Sequence, residues 1–443
     1  MKKYWIQTLV IVLTMCGAWT AMAKNQDSFK ILKSNLDTAM ESGAKMDKGF
    51  DDYLKVTWGN PDNLTQLPEF RVVLLKYLRD GSEKKGYSDL LALVFKTMKG
   101  YVEDEKADKV LRMNALMTLG ELDSSYSKTS YVPLPATKEV LLACWKKTKS
   151  EEMYLRVLAL KGMTRYAAGN CAAADKKDLA AEFQKLASLK PQDDGTPEAP
   201  EILWMRMTAL EGLGNVGDPA AAVLLLNIVA DDKAYDIPTR TTAAIAFSKL
   251  KKLDEKSLGS IKSGDALRSL GILAAQSLAV EYDRKYKLQR GLEGEEARNM
   301  RGAATIQMDD EQNAIMTLSL RRRVKAVASI FENILGSDCV LIPLLKDKND
   351  RALLEKLNKS LRSIKGMYEE IGQFRIKEEK TDERNPEPAM RSSQQNEGEP
   401  SYAYQRWRLY SPLKEMFGYL GQKAPIKTTR NAPAEFFGGM YGR

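Results

Sequence analysis

Apolar residues return every three or four positions along most of this chain, with polar residues filling the positions between. In ATKEVLLACWKKTK from Ala136, the set Val140, Leu141, Cys144 and Trp145 falls on one side of a helix. Similar amphipathic stretches begin at Tyr87 (YSDLLALVFKTMKG), Asp175 (DKKDLAAEFQKLASL) and Pro219 (PAAAVLLLNIVAD). This spacing predicts an all-α chain built from helices of ordinary globular length.

A second kind of helix alternates with the first. It opens with arginine, places a small or apolar residue three positions on, and adds an apolar residue four further. The pattern reads RVVLLKYL from Arg71, RMNALMTL from Arg112, RVLALKGM from Arg156, RMTALEGL from Arg206, RTTAAIAF from Arg240, RSLGILAA from Arg268 and RVKAVASI from Arg323. Successive arginines stand 41, 44, 50, 34, 28 and 55 residues apart, and most of these gaps suit a two-helix repeat. The small residue (Ala115, Ala159, Ala209, Ala243, Gly271 or Ala326) lets a neighbouring helix come close. Asp108, Glu152 and Asp236 precede their arginines by four, where an acid can cap a helix start and pair with the arginine one turn on.

The joint between repeats is clearest at LGNVGDPAA. Gly214 and Gly217 suit the exit of one helix, Asp218 caps the next, and Pro219 takes its first position. Over RMTALEGLGNVGDPAAAVLLLNIVAD the chain resembles the HEAT-repeat family, particularly its short bacterial form. The resemblance covers about 67–282, with one further match at Arg323. It implies a right-handed α-solenoid of helical hairpins with a concave binding surface, and it implies no particular activity.

The flanks read differently. Residues 1–23 pair Lys2 and Lys3 with an apolar stretch and end on Ala21-Met22-Ala23, which predicts a cleaved signal peptide and a mature chain from Lys24. A lipoprotein reading through Cys16 is weakened by Met15 directly before it. Residues 24–66 predict a capping helix from Ser28 to about Met46, with Lys30, Lys33, Asp37 and Glu41 on a polar outer face, then a turn at Trp58-Gly59-Asn60-Pro61. A loop is expected over 189–200 and a longer break over 281–302. Helical pattern resumes within 283–375, from about Asp310 to Leu335 and from Cys339 to Phe374.

Residues 376–400 are nearly devoid of apolar side chains and read as a disordered linker. The tail that follows, 401–443, is dense in aromatic residues. Tyr402, Tyr404, Arg406, Trp407, Arg408 and Tyr410 form its candidate partner-binding set, since aromatics and arginine carry much interface energy. The competing reading has these rings docking onto the array as a C-terminal cap.

Composition narrows the chemistry. The chain has no histidine, which excludes Ser-His-Asp and Cys-His catalysis, His-ligated zinc and histidine bases. Cys144, Cys171 and Cys339 remain after leader cleavage, too few for a four-thiolate zinc site and too scattered for a disulfide framework. They are expected to be free and mostly buried. No phosphate-cradling glycine motif occurs. The net charge of +9 is modest for 443 residues, and its short basic clusters sit near acids, so no nucleic-acid partner is expected.

Export also argues against HEAT-like lyases and DNA-repair relatives, which act inside cells. They become the alternative only if the leader is not one. A carboxylate-only envelope enzyme, such as a glycan hydrolase with Trp58 and Trp204 stacking on sugar, is the other alternative. The expected function is an exported, non-catalytic scaffold binding a protein partner, monomeric, without cofactor, metal or transmembrane segment.

Overall fold

The joint at Gly217-Asp218-Pro219 forms as its residues dictate. In a computed structural model of the chain, Gly217 adopts φ +72°, and its N–H bonds to the Leu213 carbonyl to close the preceding helix. The Asp218 carboxylate accepts from the Ala220 N–H at 2.9 Å, with Pro219 first in the following turn. Gly214 has a different task, because it lies inside the helix against a neighbour. The structure describes residues 37, 41, 54–55, 57–147, 152–189, 199–296, 310–369 and 402–425, giving backbone alone for 283–296, 310–318, 369 and 402–407. The leader over 1–23, most of the capping segment and the linker over 376–400 lie outside these residues, as do 190–198 of the expected loop.

The chain divides between Leu186 and Ala187 into two compact units, inside the span that the repeat pattern joins. The first holds α1 (Leu67–Asp80), α2 (Tyr87–Glu103), α3 (Lys109–Leu119), α4 (Pro135–Trp145), α5 (Met153–Ala168) and nearly all of α6 (Ala173–Ala187). Helices α2 and α3 pack as one hairpin and α4 and α5 as the next, while α3 lies against both α1 and α5. The arginine-bearing helices therefore form one layer. A short antiparallel ribbon, β1 (Asp123–Tyr126) with β2 (Tyr131–Pro133), links α3 to α4. The helix periodicity gives no sign of it.

The second unit holds α7 (Pro200–Val216), α8 (Ala222–Ala230), α9 (Ile237–Ser248), α10 (Ser263–Glu296), α11 (Asp310–Leu335), α12 (Lys348–Glu369) and α13 (Tyr402–Tyr419). Helix α9 packs on α7 and α8, and α10 packs on both α8 and α11. The break expected over 281–302 is absent through Glu296, where α10 runs on. Lys, Leu, Gln, Arg and Glu dominate that stretch, and such residues sustain a helix without a regular apolar stripe. Helix α12 begins at Lys348 rather than at the expected Cys339, and residues 370–374 of that expected helix lie outside the described residues.

The recurrent arginines tie each hairpin together. Arg112 donates from Nε and Nη2 to the Val102 carbonyl near the end of α2, at 3.3 and 3.2 Å. Arg156 donates to the Trp145 carbonyl at the end of α4 (3.2 Å), and Arg240 to the Val229 carbonyl near the end of α8 (2.8 Å). Arg206 does the same to Leu189, two residues beyond α6, at 3.1 and 2.8 Å. The guanidinia of Arg112, Arg156 and Arg240 each satisfy a carbonyl that the helix end leaves without an intrahelical donor, whereas the Leu189 carbonyl lies outside the helix. Two also reach a later helix of the same unit or the residue before it: Arg112 to Glu152 at 2.8 Å and Arg240 to Gln276 at 2.8 Å. The small residues behind them, Ala115, Ala159, Ala209 and Ala243, are fully buried.

Several expectations change on this view. The acids at 108 and 236 cap the helix starts, accepting from Val110 and Thr239 N–H at 2.7 and 2.9 Å. Their arginines turn instead to the preceding helix. Glu152 makes no cap and serves the previous repeat's Arg112 together with Lys147. Arg268 is not a hairpin-tying arginine, for α10 stacks on α8, and its half-exposed guanidinium pairs with Asp265 and Asp350. In α11 the buried arginine is Arg321, whereas Arg323 is partly exposed and Ala326 faces outward. The register there is two residues earlier than the sequence pattern suggests. Asp37 belongs to no free outer face: it accepts from Tyr77 Oη at 2.9 Å.

Candidate functional site

Helix α13 brings the candidate tail residues onto the second unit. Leu409, Leu413, Met416, Phe417 and Leu420 recur at helical spacing and are buried where α13 meets α10, α11 and α12. Tyr410 tilts against Tyr282 of α10, ring centroids 6.3 Å apart. Tyr402, Tyr404, Arg406 and Trp407 lie in the first turns of this helix, and their side chains are outside the described set. Of the two candidates whose side chains are described, Arg408 lines a cavity.

That cavity is a groove of about 680 Å³ between α12 and α13. Helix α12 contributes Lys356, Lys359, Ser360, Ser363 and Met367, and α13 contributes Arg408, Ser411, Pro412, Glu415 and Tyr419. Each set climbs its helix in steps of three, one, three and four, so each is a single face. Short side chains at the middle cannot fill the space between the helices, and the groove stays open there. Pro412 adds to this, since it donates no N–H and its ring disturbs the preceding turn.

Three cations and one carboxylate border the groove. Arg362 and Lys365 of α12 are taken up by Glu332 of α11, at 3.3 and 2.9 Å. Among the described residues neither Lys356 nor Lys359 is ion-paired, though Lys356 Nζ stands 5.5 Å over the Tyr419 ring. The sequence points to Arg408 through its aromatic neighbourhood, but it gives no reason to choose Lys359 among the charges of α12.

A second hollow, about 560 Å³, surrounds the start of α10. Two of its cations are matched, Arg268 with Asp265 and Asp350 and Lys346 with Glu255, while Lys262 has no ion pair among the described residues. Acids and bases alternate around it, with Glu255, Asp265, Asp347 and Asp350 against Lys262, Arg268 and Lys346, so no single charge sign marks it for a ligand.

Buried polar clusters elsewhere hold the fold. Asp123 at the start of β1 takes both oxygens to Arg165 Nη2, at 2.9 and 2.7 Å, and its backbone carbonyl accepts from Tyr87 Oη. Burial pushes the Asp123 carboxyl up from the ordinary range against the opposing pull of Arg165, and it pushes Tyr87 up to about 12. This cluster pins the ribbon to α5. The three thiols are free, with Cys171 half-buried rather than buried. Trp58 is buried and closed to a sugar ring, whereas Trp204 reaches the surface.

In the first unit the arginine-bearing layer leaves apolar side chains in water. Val72 and Val73 of α1 are 62% and 43% exposed, and Val110 of α3 is 40% exposed. Met113 and Met117 of α3, with Tyr154, Val157 and Leu158 of α5, are partly exposed. Counted from each arginine, Val72, Met113 and Val157 are equivalent, as are Val110 and Tyr154. Lys109 of α3 reaches over the Tyr154 ring at 4.7 Å, linking the two helices along this stripe. Compared with known proteins, the chain matches no family model, no curated protein and no solved structure.

Proposed function

We propose that this chain is an exported, non-catalytic scaffold that binds another protein through a surface of stacked, HEAT-like helical hairpins. The layered packing of α1, α3 and α5 and the arginine-to-carbonyl ties support the solenoid reading. The leader pattern ending at Ala23 supports export.

The stripe carries the proposal. Three alternate helices, α1, α3 and α5, present equivalent apolar positions outward, where a repeat array displays its binding surface. Scattered exposed apolar residues need no explanation, but a row in register across three helices does. Methionine suits such a face because its unbranched side chain adapts to a partner's contour.

Affinity capture from a cell-envelope fraction tests this reading. The chain from Lys24 is expected to retain a partner that a Val72→Asp, Val73→Asp and Val110→Asp variant loses. Recovery of the same proteins by both would overturn it. N-terminal sequencing of the native protein tests export separately, with Lys24 the expected first residue.

A further inference from the structure

The two groove-lining faces run antiparallel, because Lys356, early in α12, meets Tyr419 at the end of α13. Lys356 and Lys359 therefore lie toward one end of the groove and Arg408 toward the other. From Lys356 to Met367 the helix rises on the order of 16 Å, about the length of five extended residues. Between the charged ends stand three hydroxyls, Ser360, Ser363 and Ser411.

We propose that this groove binds an extended acidic peptide segment of a partner protein. Its carboxylates would pair with Lys356, Lys359 and Arg408, and the serine hydroxyls would exchange hydrogen bonds with its backbone. The charge pattern selects this occupant. A single phosphate calls for all the cations to converge, whereas Arg408 stands at the opposite end of the groove from Lys356 and Lys359. A lipid chain calls for an apolar floor, whereas this floor is hydroxyl-bearing. Stacked bases call for a row of aromatic platforms, whereas among the described residues Tyr419 is the one aromatic ring that lines the groove. Lys356 and Lys359 have no ion pair among the described residues, although Arg362 and Lys365 on the same helix have Glu332. The three cations of the groove face one carboxylate, Glu415, among the described residues, so its lining carries a net positive charge. The inference does not depend on the stripe in the first unit.

Fluorescence anisotropy with the chain from Lys24 tests it, using a labelled peptide of alternating glutamate and serine at low salt. Saturable binding is expected, weakened at least about tenfold by Lys356→Glu with Lys359→Glu and weakened again as salt rises. The matching glutamine–serine peptide should not bind. Ser363→Trp, which fills the groove without touching its charge, should also abolish binding. All three substituted positions are exposed, and circular dichroism should show each variant folded. Val73→Asp on the stripe should leave peptide binding unchanged, so failure here is separable from failure of the scaffold reading. Equal binding by the charge-reversed chain, equal binding of the glutamine peptide, or stronger competition by inorganic phosphate, oligothymidylate or phosphatidylglycerol vesicles than by unlabelled acidic peptide would each overturn the proposal.

Discussion

Gly214 of α7 and Ala246 of α9 cross so closely that a Cβ built at position 214 would stand 2.7 Å from the Ala246 Cα. In the other unit, a Cβ at Gly120, just past α3, would stand 3.0 Å from the Gly162 Cα of α5. Both pairs join the eighth residue after one hairpin-tying arginine to the sixth after the next. The same contact in the same register occurs in each unit, which makes it part of the repeat. Two helices approach this closely only where one has no side chain to interpose.

Gly214→Ala is therefore expected to destabilise the chain despite alanine's better helix propensity. The propensity gain is at most about 1 kcal/mol, while forcing a methyl against backbone costs on the order of 1–3 kcal/mol. Gly100 of α2 provides the contrast, since a Cβ there meets nothing within 4 Å. Gly100→Ala should stabilise by about 0.5–1 kcal/mol. Thermal melting of the two variants should move in opposite directions.

The arginines differ in the same testable way. Arg240→Leu strips the Val229 carbonyl and Gln276 of a buried donor and should cost on the order of 2–4 kcal/mol. Arg268→Ala removes surface ion pairs whose guanidinium is 48% exposed, with an expected cost under about 1 kcal/mol. Denaturant unfolding of both variants measures the difference.

Acid should loosen the junction between α3 and the start of α5. The hydrogen bond from Lys147, with burial opposing and Arg112 adding, holds the Glu152 carboxyl below the ordinary range. A depressed carboxyl stabilises the fold fully above its unfolded value, near about 4.3, and ceases to do so as pH falls through its folded value. Glu152→Gln is thus expected to lower the melting temperature at neutral pH and to flatten its decline below about pH 4.5. Melting temperatures taken between neutral and acid pH check the sign.

Much of this architecture can be read from residue spacing, and the misreadings have physical causes. The helices, the joint at Gly217-Asp218-Pro219 and the small residues behind the arginines follow from local rules that act within a few positions. The arginines' partners do not, because Arg112 finds Val102 and Glu152 only once the hairpins fold. Arg268 carries the right local pattern on a helix of the other layer, and Arg323 sits two residues from the buried Arg321. Sequence adjacency could not separate these cases. The ribbon at Asp123–Pro133 is too short for a periodic signal, and its position depends on Arg165, some forty residues away. The groove leaves no mark in the sequence, because Lys356 and Lys359 differ from Arg362 and Lys365 only in lacking the company of Glu332.

The proposal that the outward apolar stripe of α1, α3 and α5 holds a partner protein is put to the test by photocrosslinking in native cells. A photoreactive residue in place of Met113 or Val157 should trap one and the same protein, identified by mass spectrometry, and Val110→Asp should abolish the adduct. The same residue in place of Lys99 on α2 should trap nothing comparable. Absence of an adduct at both stripe positions, or an identical adduct pattern at position 99, would contradict the account.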